Sequence, residues 1–280
     1  MSIHHEKIKV AILDMYLGHA NQGMRGIKDI LERYGKRHDL TIDYKIFDVR
    51  GSSEVPDIDA YNVFISTGGP GSPTESEGSE WEKVYFQLME NILSHNRQQA
   101  EQKKYVFLIC HSFQVFCRYF QLGRVTPRKS TSFGVMPCHK TEAGKLDKTL
   151  NGLSDPFYIV DSRDWQVIEP NAINFMKMGA EVLALEKYRP HVKFEQALMA
   201  VRFTPEVIGT QFHPEADAIG MSLYLKEESK RDHVILHHGE EKYHDMLTHL
   251  NDPDKIMLTQ RTILPAFLDQ AIGAYKPEHI

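Results

Sequence analysis

A chain of 280 residues, 41% of them hydrophobic, is long enough to bury a full core as one large domain or as one domain with an appendage. A net charge of -5 and a pI near 6.3 argue against a nucleic-acid partner, which needs a clustered basic face. The opening stretch MSIHHEKIKVAILDM carries an apolar run that stops at Asp14, too short for a signal h-region or a membrane span, so a soluble cytoplasmic protein is expected. Cys110, Cys117 and Cys138 are odd in number and form no CxxC pair, which predicts reduced thiols and neither a disulfide framework nor a zinc knuckle.

In chain order, KVAILDM (9–15), YNVFIST (61–67) and YVFLIC (105–110) are nearly continuous apolar runs, as strands of a parallel sheet covered on both faces must be. Helices are predicted between them, near 23–37 and 80–100. From about 130 to 215 the texture changes to shorter strands separated by turns: STSFGVMP, PFYIVDS, EVLALEKY, ALMAVRF and VIGTQF. After residue 216 the chain is charged and helical in pattern. No repeat or linker interrupts it, which predicts an α/β domain over 1–216 with a C-terminal helical extension, 217–280, packed on the same domain.

Three stretches carry chemistry. YVFLIC delivers Cys110 to the end of a strand, and HSFQVFCRYF follows at helical spacing. A nucleophile on a sharp strand-to-helix turn stands clear of the sheet, the next backbone N–H is free for an oxyanion, and a helix N-terminus favours a thiolate. A buried structural cysteine is the competing reading of Cys110 taken alone, and it is the preferred one for Cys117 and Cys138. At the other end of the chain, IGTQFHPEAD places His213 and Glu215 two apart on an extended segment, so both side chains point the same way. Glu215 can then hold one imidazole nitrogen while the other faces a nucleophile; two solvated polar residues at a strand end are the alternative. In STGGPGSPTES (66–76), Gly68, Gly69 and Gly71 let the backbone approach a ligand closely. The loop lacks the Lys-Ser/Thr of a phosphate loop, which leaves an oxyanion hole formed by the N–H groups of Gly69 and His111, or an ordinary turn.

In order and spacing, TGGPGSP, ICHSFQ and GTQFHPE together resemble the class I glutamine amidotransferases. The resemblance runs from about residue 8 to 216 and includes FGVMPCHKTEAG and FYIVDSRDWQV, which are similar to the family's middle strands. It implies a three-layer, flavodoxin-like fold with a mostly parallel central sheet flanked by helices. It also implies Cys110 as nucleophile, His213 as general base and then acid, Glu215 as its orienter, and Gln114 beside the substrate with Gly68 and Gly71. The implied substrate is glutamine or another γ-glutamyl compound, with ammonia handed to a separate synthase subunit, and no cofactor, metal, nucleic acid or membrane is implied.

The chain departs from the family pattern at several places. Leu108 and Ser112 stand where glycines usually flank the nucleophile, and a branched Leu108 is expected to crowd the elbow and misdirect the His111 N–H until a synthase docks. Arg163 and Asp164 stand where the family carries a histidine. HVILHHGEEKYH (233–244) has no HExxH register and is expected to be a solvated helix face. A γ-glutamyl hydrolase, a homoserine acyltransferase with an acyl-CoA pocket, and a non-catalytic regulatory homologue remain as other readings.

Overall fold

The computed structural model describes residues 8–19, 21–99, 101–188, 190, 195–250 and 252–274. Its first half alternates strand and helix: β1 (Ile8–Asp14), α1 (Gln22–His38), β2 (Ile42–Asp48), α2 (Val49–Ser52), β3 (Val63–Ser66), α3 (Glu80–Gln98), β4 (Tyr105–Ile109) and α4 (His111–Tyr119). Next come β5 (Arg124–Lys140), α5 (Glu142–Leu146), β6 (Phe157–Ile168), α6 (Ala172–Met178), β7 (Glu181–Glu186), β8 (Leu198–Thr204) and β9 (Val207–Thr210). Four helices close the chain: α7 (Ala218–Lys226), α8 (Glu228–His238), α9 (Glu240–Leu250) and α10 (Ile256–Gly273).

All strands join one nine-stranded sheet in the order β2-β1-β3-β4-β9-β8-β7-β5-β6. The first five form a parallel, flavodoxin-like array, in which the chain leaves β1 toward β2 on one side and β3 on the other. The expectation of a mostly parallel sheet is corrected here: four strand pairings are parallel and four antiparallel, so the sheet is mixed. The reason lies in the connections. Only Pro205 and Glu206 separate β8 from β9, a link that joins antiparallel neighbours and cannot make the crossover a parallel pair requires.

The strand β2 escapes the apolar-run criterion. It lies at the sheet edge, and its residues alternate between exposed and partly buried, with Asp43 and Lys45 turned outward. The alternating faces of the central strands feed two cores. Val10, Ile12, Phe107 and Ile109 pack with α1 and α10, while Ala11, Leu13, Val106 and Leu108 pack with α3 and α4. A third cluster joins Phe133, Val135 and Val160 of the β5–β6 ribbon to Met221, Leu225, Val234 and Met246 of α7, α8 and α9. The final helix therefore seals the main core, whereas α7 to α9 wall the ribbon. The histidine-rich segment falls on α8 and α9; the side chains of His233, His237 and His238 lie outside the described residues, and His244 is exposed beside Glu240. Among the described residues, no helix is long and apolar enough to cross a membrane.

Candidate active site

The carboxyl ends of β1, β3, β4 and β9 lie side by side, where ligands bind in open α/β sheets. Cys110 follows β4 with φ 47° and ψ -98°, a left-handed conformation that costs a non-glycine residue about 1–3 kcal/mol. The turn is held on both sides. The Cys110 N–H donates to the Thr210 carbonyl at 2.8 Å, the Gln114 N–H donates to the Cys110 carbonyl at 3.0 Å, and the Ser112 hydroxyl accepts from the Ile109 N–H at 2.8 Å. Ser112 also donates to the Ser66 carbonyl at 2.9 Å, tying the elbow to β3.

Leu108 does not crowd this elbow. Its side chain turns to the opposite face of the sheet, into the core with Phe113 and Phe203, and its partner across β9 is Gly209. A Cβ at Gly209 would fall 3.2 Å from the Leu108 Cβ and 2.8 Å from Phe113, so the neighbouring strand supplies the space. Leu108→Ala is accordingly expected to cost about 2–5 kcal/mol of stability as a core truncation, measured by denaturant unfolding, with no gain in activity.

From the end of β9, His213 is placed by its N–H donating to the Val160 carbonyl at 3.0 Å. Its Nδ1 lies 2.8 Å from Glu215 Oε1, and its ring stands beside Cys110 at Gly68. Burial disfavours the imidazolium, but the adjacent Glu215 carboxylate and the negative charge of Cys110 outweigh it and raise the His213 pKa well above 6.5. Glu215 is 1% exposed, and two glycines of α1 make its position accessible. A Cβ at Gly26 would fall 2.3 Å from the Glu215 carbonyl oxygen, and one at Gly23 would fall 2.9 Å from Glu215 Oε1 and 2.2 Å from the Tyr16 hydroxyl.

The glycine loop completes the cleft. Gly69 packs against the Met15 carbonyl, 2.3 Å from where its Cβ would stand, and Gly71 has φ +87°. Its conformation is set from behind. Thr67 Oγ1 accepts from the Met15 N–H at 2.9 Å and donates to the Gly68 carbonyl at 2.8 Å. Arg50 donates to the Met15 and Pro70 carbonyls at 3.1 and 2.6 Å, and Arg118 donates to the Pro73 carbonyl and pairs with buried Glu82. The His111 ring is buried beneath the loop, its pKa pushed down to about 3 by burial and by Arg50 and Arg118, so it stays neutral at physiological pH. As the first residue of α4, His111 carries one of the N–H groups that lack an intrahelical acceptor.

Gly69, Gly71, Cys110, Gln114 and His213 line one cavity of about 580 Å³. Gly68 does not line it; a Cβ there would fall 2.8 Å from the His213 ring and 3.5 Å from Cys110. Gln114 donates to the Trp165 carbonyl at 3.2 Å. Arg163 and Asp164 reach the same cavity, but the Arg163 guanidinium is buried on Asp161 at 2.8 Å and Asp164 accepts from Thr131 at 2.5 Å. Cys117 and Cys138 are fully buried, and burial is the main cause that pushes both thiols well up. Sequence reasoning missed Tyr16, Phe133 and Tyr224. Tyr16 follows the carboxyl end of β1, a position that the sheet rule marks; the two others come from the ribbon and α7 and carry no local signal.

The glutamine amidotransferase class-I family matches residues 24–223, and the chain belongs to that family. The fold is similar to a crystal structure of a glutamine amidotransferase from Thermotoga maritima, at 17% identity and TM-score 0.65 over 96% of this chain and 99% of that one. A glutamine amidotransferase from Methylobacillus flagellatus aligns at 14% identity and TM-score 0.65, covering 98% of this chain and 97% of that one. The glutaminase domain of Trypanosoma brucei CTPS, with bound acivicin, aligns at 14% identity and TM-score 0.56, covering 98% and 96%. No curated protein matches the chain.

Proposed function

We propose that the chain hydrolyses the side-chain amide of glutamine through a γ-glutamyl thioester on Cys110, and that the ammonia passes to a separate synthase. One observation carries this reading: Cys110, on its left-handed elbow, and the His213 ring stand together at Gly68, 3.5 and 2.8 Å from where its Cβ would be, and His213 is held in turn by Glu215. The Cys110 thiolate attacks the amide carbon, and the oxyanion rests on the N–H groups of Gly69 and His111, each worth about 3 kcal/mol of barrier in comparable sites. His213 protonates the departing nitrogen, the C–N bond breaks, and ammonia leaves. Water, giving a proton back to His213, then cleaves the thioester to glutamate. Gln114 and Gly71 border the substrate, and Gly68 leaves room for the His213 ring. Membership of the family and the fold shared with a glutaminase domain support the chemistry, and a reducing cytoplasm suits a thiol nucleophile.

The test combines ammonia release from glutamine with labelling by a glutamine-mimicking electrophile. Label is expected on Cys110 in preference to Cys117 and Cys138, because reactivity follows thiolate character and access. Peptide mapping that located the label mainly on Cys117 or Cys138 would remove the assignment.

A further inference from the structure

A second cavity, of about 510 Å³, adjoins the first at His213. It shares Tyr16, Asn21, Phe133, Ser162, His213 and Tyr224 with the first cavity but includes neither Cys110 nor the glycine loop, and Glu215 lines it instead. The two spaces therefore serve different ends of a scissile amide. Under the proposed mechanism the carbonyl oxygen sits at Gly69 and His111, and the departing nitrogen must face the His213 nitrogen that is not bonded to Glu215. The second cavity adjoins the first around Tyr16, Ser162 and His213, so it is the space open to a substituent on that nitrogen. Free glutamine places only an NH2 group there, which occupies a small part of such a volume.

The lining indicates what kind of substituent fits. Half-buried Tyr224 packs on Phe133 with ring centroids 5.4 Å apart, and Met221 adds an apolar floor, a wall suited to methylene groups. Among the described residues no lysine or arginine lines the cavity, whereas Glu215, Asp217 and Glu227 do. Of these, Asp217 is balanced by Arg25 behind it at 2.6 Å, and Glu215 by His213 at 2.8 Å. Glu227, exposed at the junction of α7 and α8, adds negative charge at the outer end.

We infer that the preferred substrate is an N-substituted γ-glutamyl amide whose amine part is a short aliphatic chain ending in a cation, seated between Tyr224, Phe133 and Glu227. The inference rests on the amide hydrolysis proposed above and names its substrate class. The step balances as before. The γ-glutamyl C–N bond breaks, His213 supplies the proton to the amine nitrogen, the diamine leaves, and water converts the thioester to glutamate.

The full chain is assayed on four amides: glutamine, the neutral γ-glutamyl ethylamide, the cationic γ-glutamyl amide of 1,4-diaminobutane, and the anionic γ-glutamyl amide of 4-aminobutyrate. Binding of all four to Cys110→Ala is measured by calorimetry as a readout independent of turnover. The cationic amide is expected to exceed the neutral and anionic amides at least tenfold in kcat/KM and in affinity. Glu227→Lys should reduce that preference at least tenfold, and Glu227→Gln by a smaller factor. A chain that turns over and binds glutamine but uses all three substituted amides at least tenfold less well overturns the inference and leaves the glutaminase reading standing. Preference for the anionic amide, or a cationic preference unmoved by Glu227→Lys, also overturns it. If no amide is cleaved or bound, the amide hydrolysis itself fails, and the inference fails with it.

Discussion

His213→Asn is expected to lower kcat/KM for glutamine by about 10⁵-fold or more, and Glu215→Gln by roughly 10³- to 10⁴-fold, with a measurable residue. The scale comes from serine triads, where removing the base costs on the order of 10⁶ and neutralising its orienter on the order of 10⁴. The order follows from the geometry: the His213 ring stands beside Cys110 at Gly68, whereas Glu215 acts only through the imidazole, at 2.8 Å from Nδ1. Steady-state kinetics on both variants decide the matter, and wild-type rates in both would make the segment structural. A pH signature accompanies the rates. Burial lowers the His213 pKa, and the charges of Glu215 and Cys110 raise it past 6.5. A folded pKa above the unfolded one stabilises the protein fully below pH 6.5, and this contribution is lost as pH rises through the folded value. Glu215→Gln leaves burial less opposed, so the His213 titration should move to lower pH, which the NMR chemical shifts of the ring report. The stability advantage of the wild type over Glu215→Gln should shrink as pH rises above 6.5, as thermal unfolding would show.

Gly26→Ala is expected to reduce kcat/KM by about 10²-fold and to lower the unfolding midpoint, although alanine is the better helix former. Glycine in a helix interior costs about 1 kcal/mol relative to alanine, so propensity alone predicts stabilisation. Contact decides otherwise. The new methyl group would lie 2.3 Å from the Glu215 carbonyl oxygen, a buried backbone atom that also accepts from Gln260 of α10 at 3.3 Å. Relief requires the segment carrying His213 and Glu215, or α1 itself, to shift by about 1 Å, and displacements of that size at a reacting centre cost on the order of 10²-fold. Gly273→Ala serves as the control, since a Cβ there meets nothing within 4 Å. Its activity should match the wild type. Equal activity and stability of Gly26→Ala and Gly273→Ala would show that the α1 contact has no part in placing Glu215.

The two predictions share a physical basis, which is preorganisation of an extended segment by elements distant in sequence. Glu215 is enclosed by α1, Tyr16 and α10, and the glycine loop by Arg50 of α2, Arg118 of α4 and Glu82 of α3. Each group that touches the proposed reacting atoms therefore rests on buried partners, which is what holds a site to the tolerance chemistry needs.

The sequence by itself determined the three central strands β1, β3 and β4 of the parallel array and the candidate residues at its edge. Continuous apolar runs can be buried on both faces only between helices, so β1, β3 and β4 were legible without partners, and the residues that end them fall at the sheet's carboxyl edge. Cys110 and the pair His213 and Glu215 were likewise legible, because a strand-to-helix turn and an i, i+2 spacing are local geometry. What depends on pairing was left to the tertiary structure. The edge strand β2 has no continuous apolar run to mark it, and the antiparallel half arises from which hairpin docks beside β4. The accommodation of Leu108 depends on Gly209 lying opposite it, a register no single strand contains. Tyr16, Phe133 and Tyr224 meet around His213 from the segment after β1, from β5 and from α7, and the space between them exists only once those elements pack, because a cavity is a property of surfaces brought together rather than of any one segment.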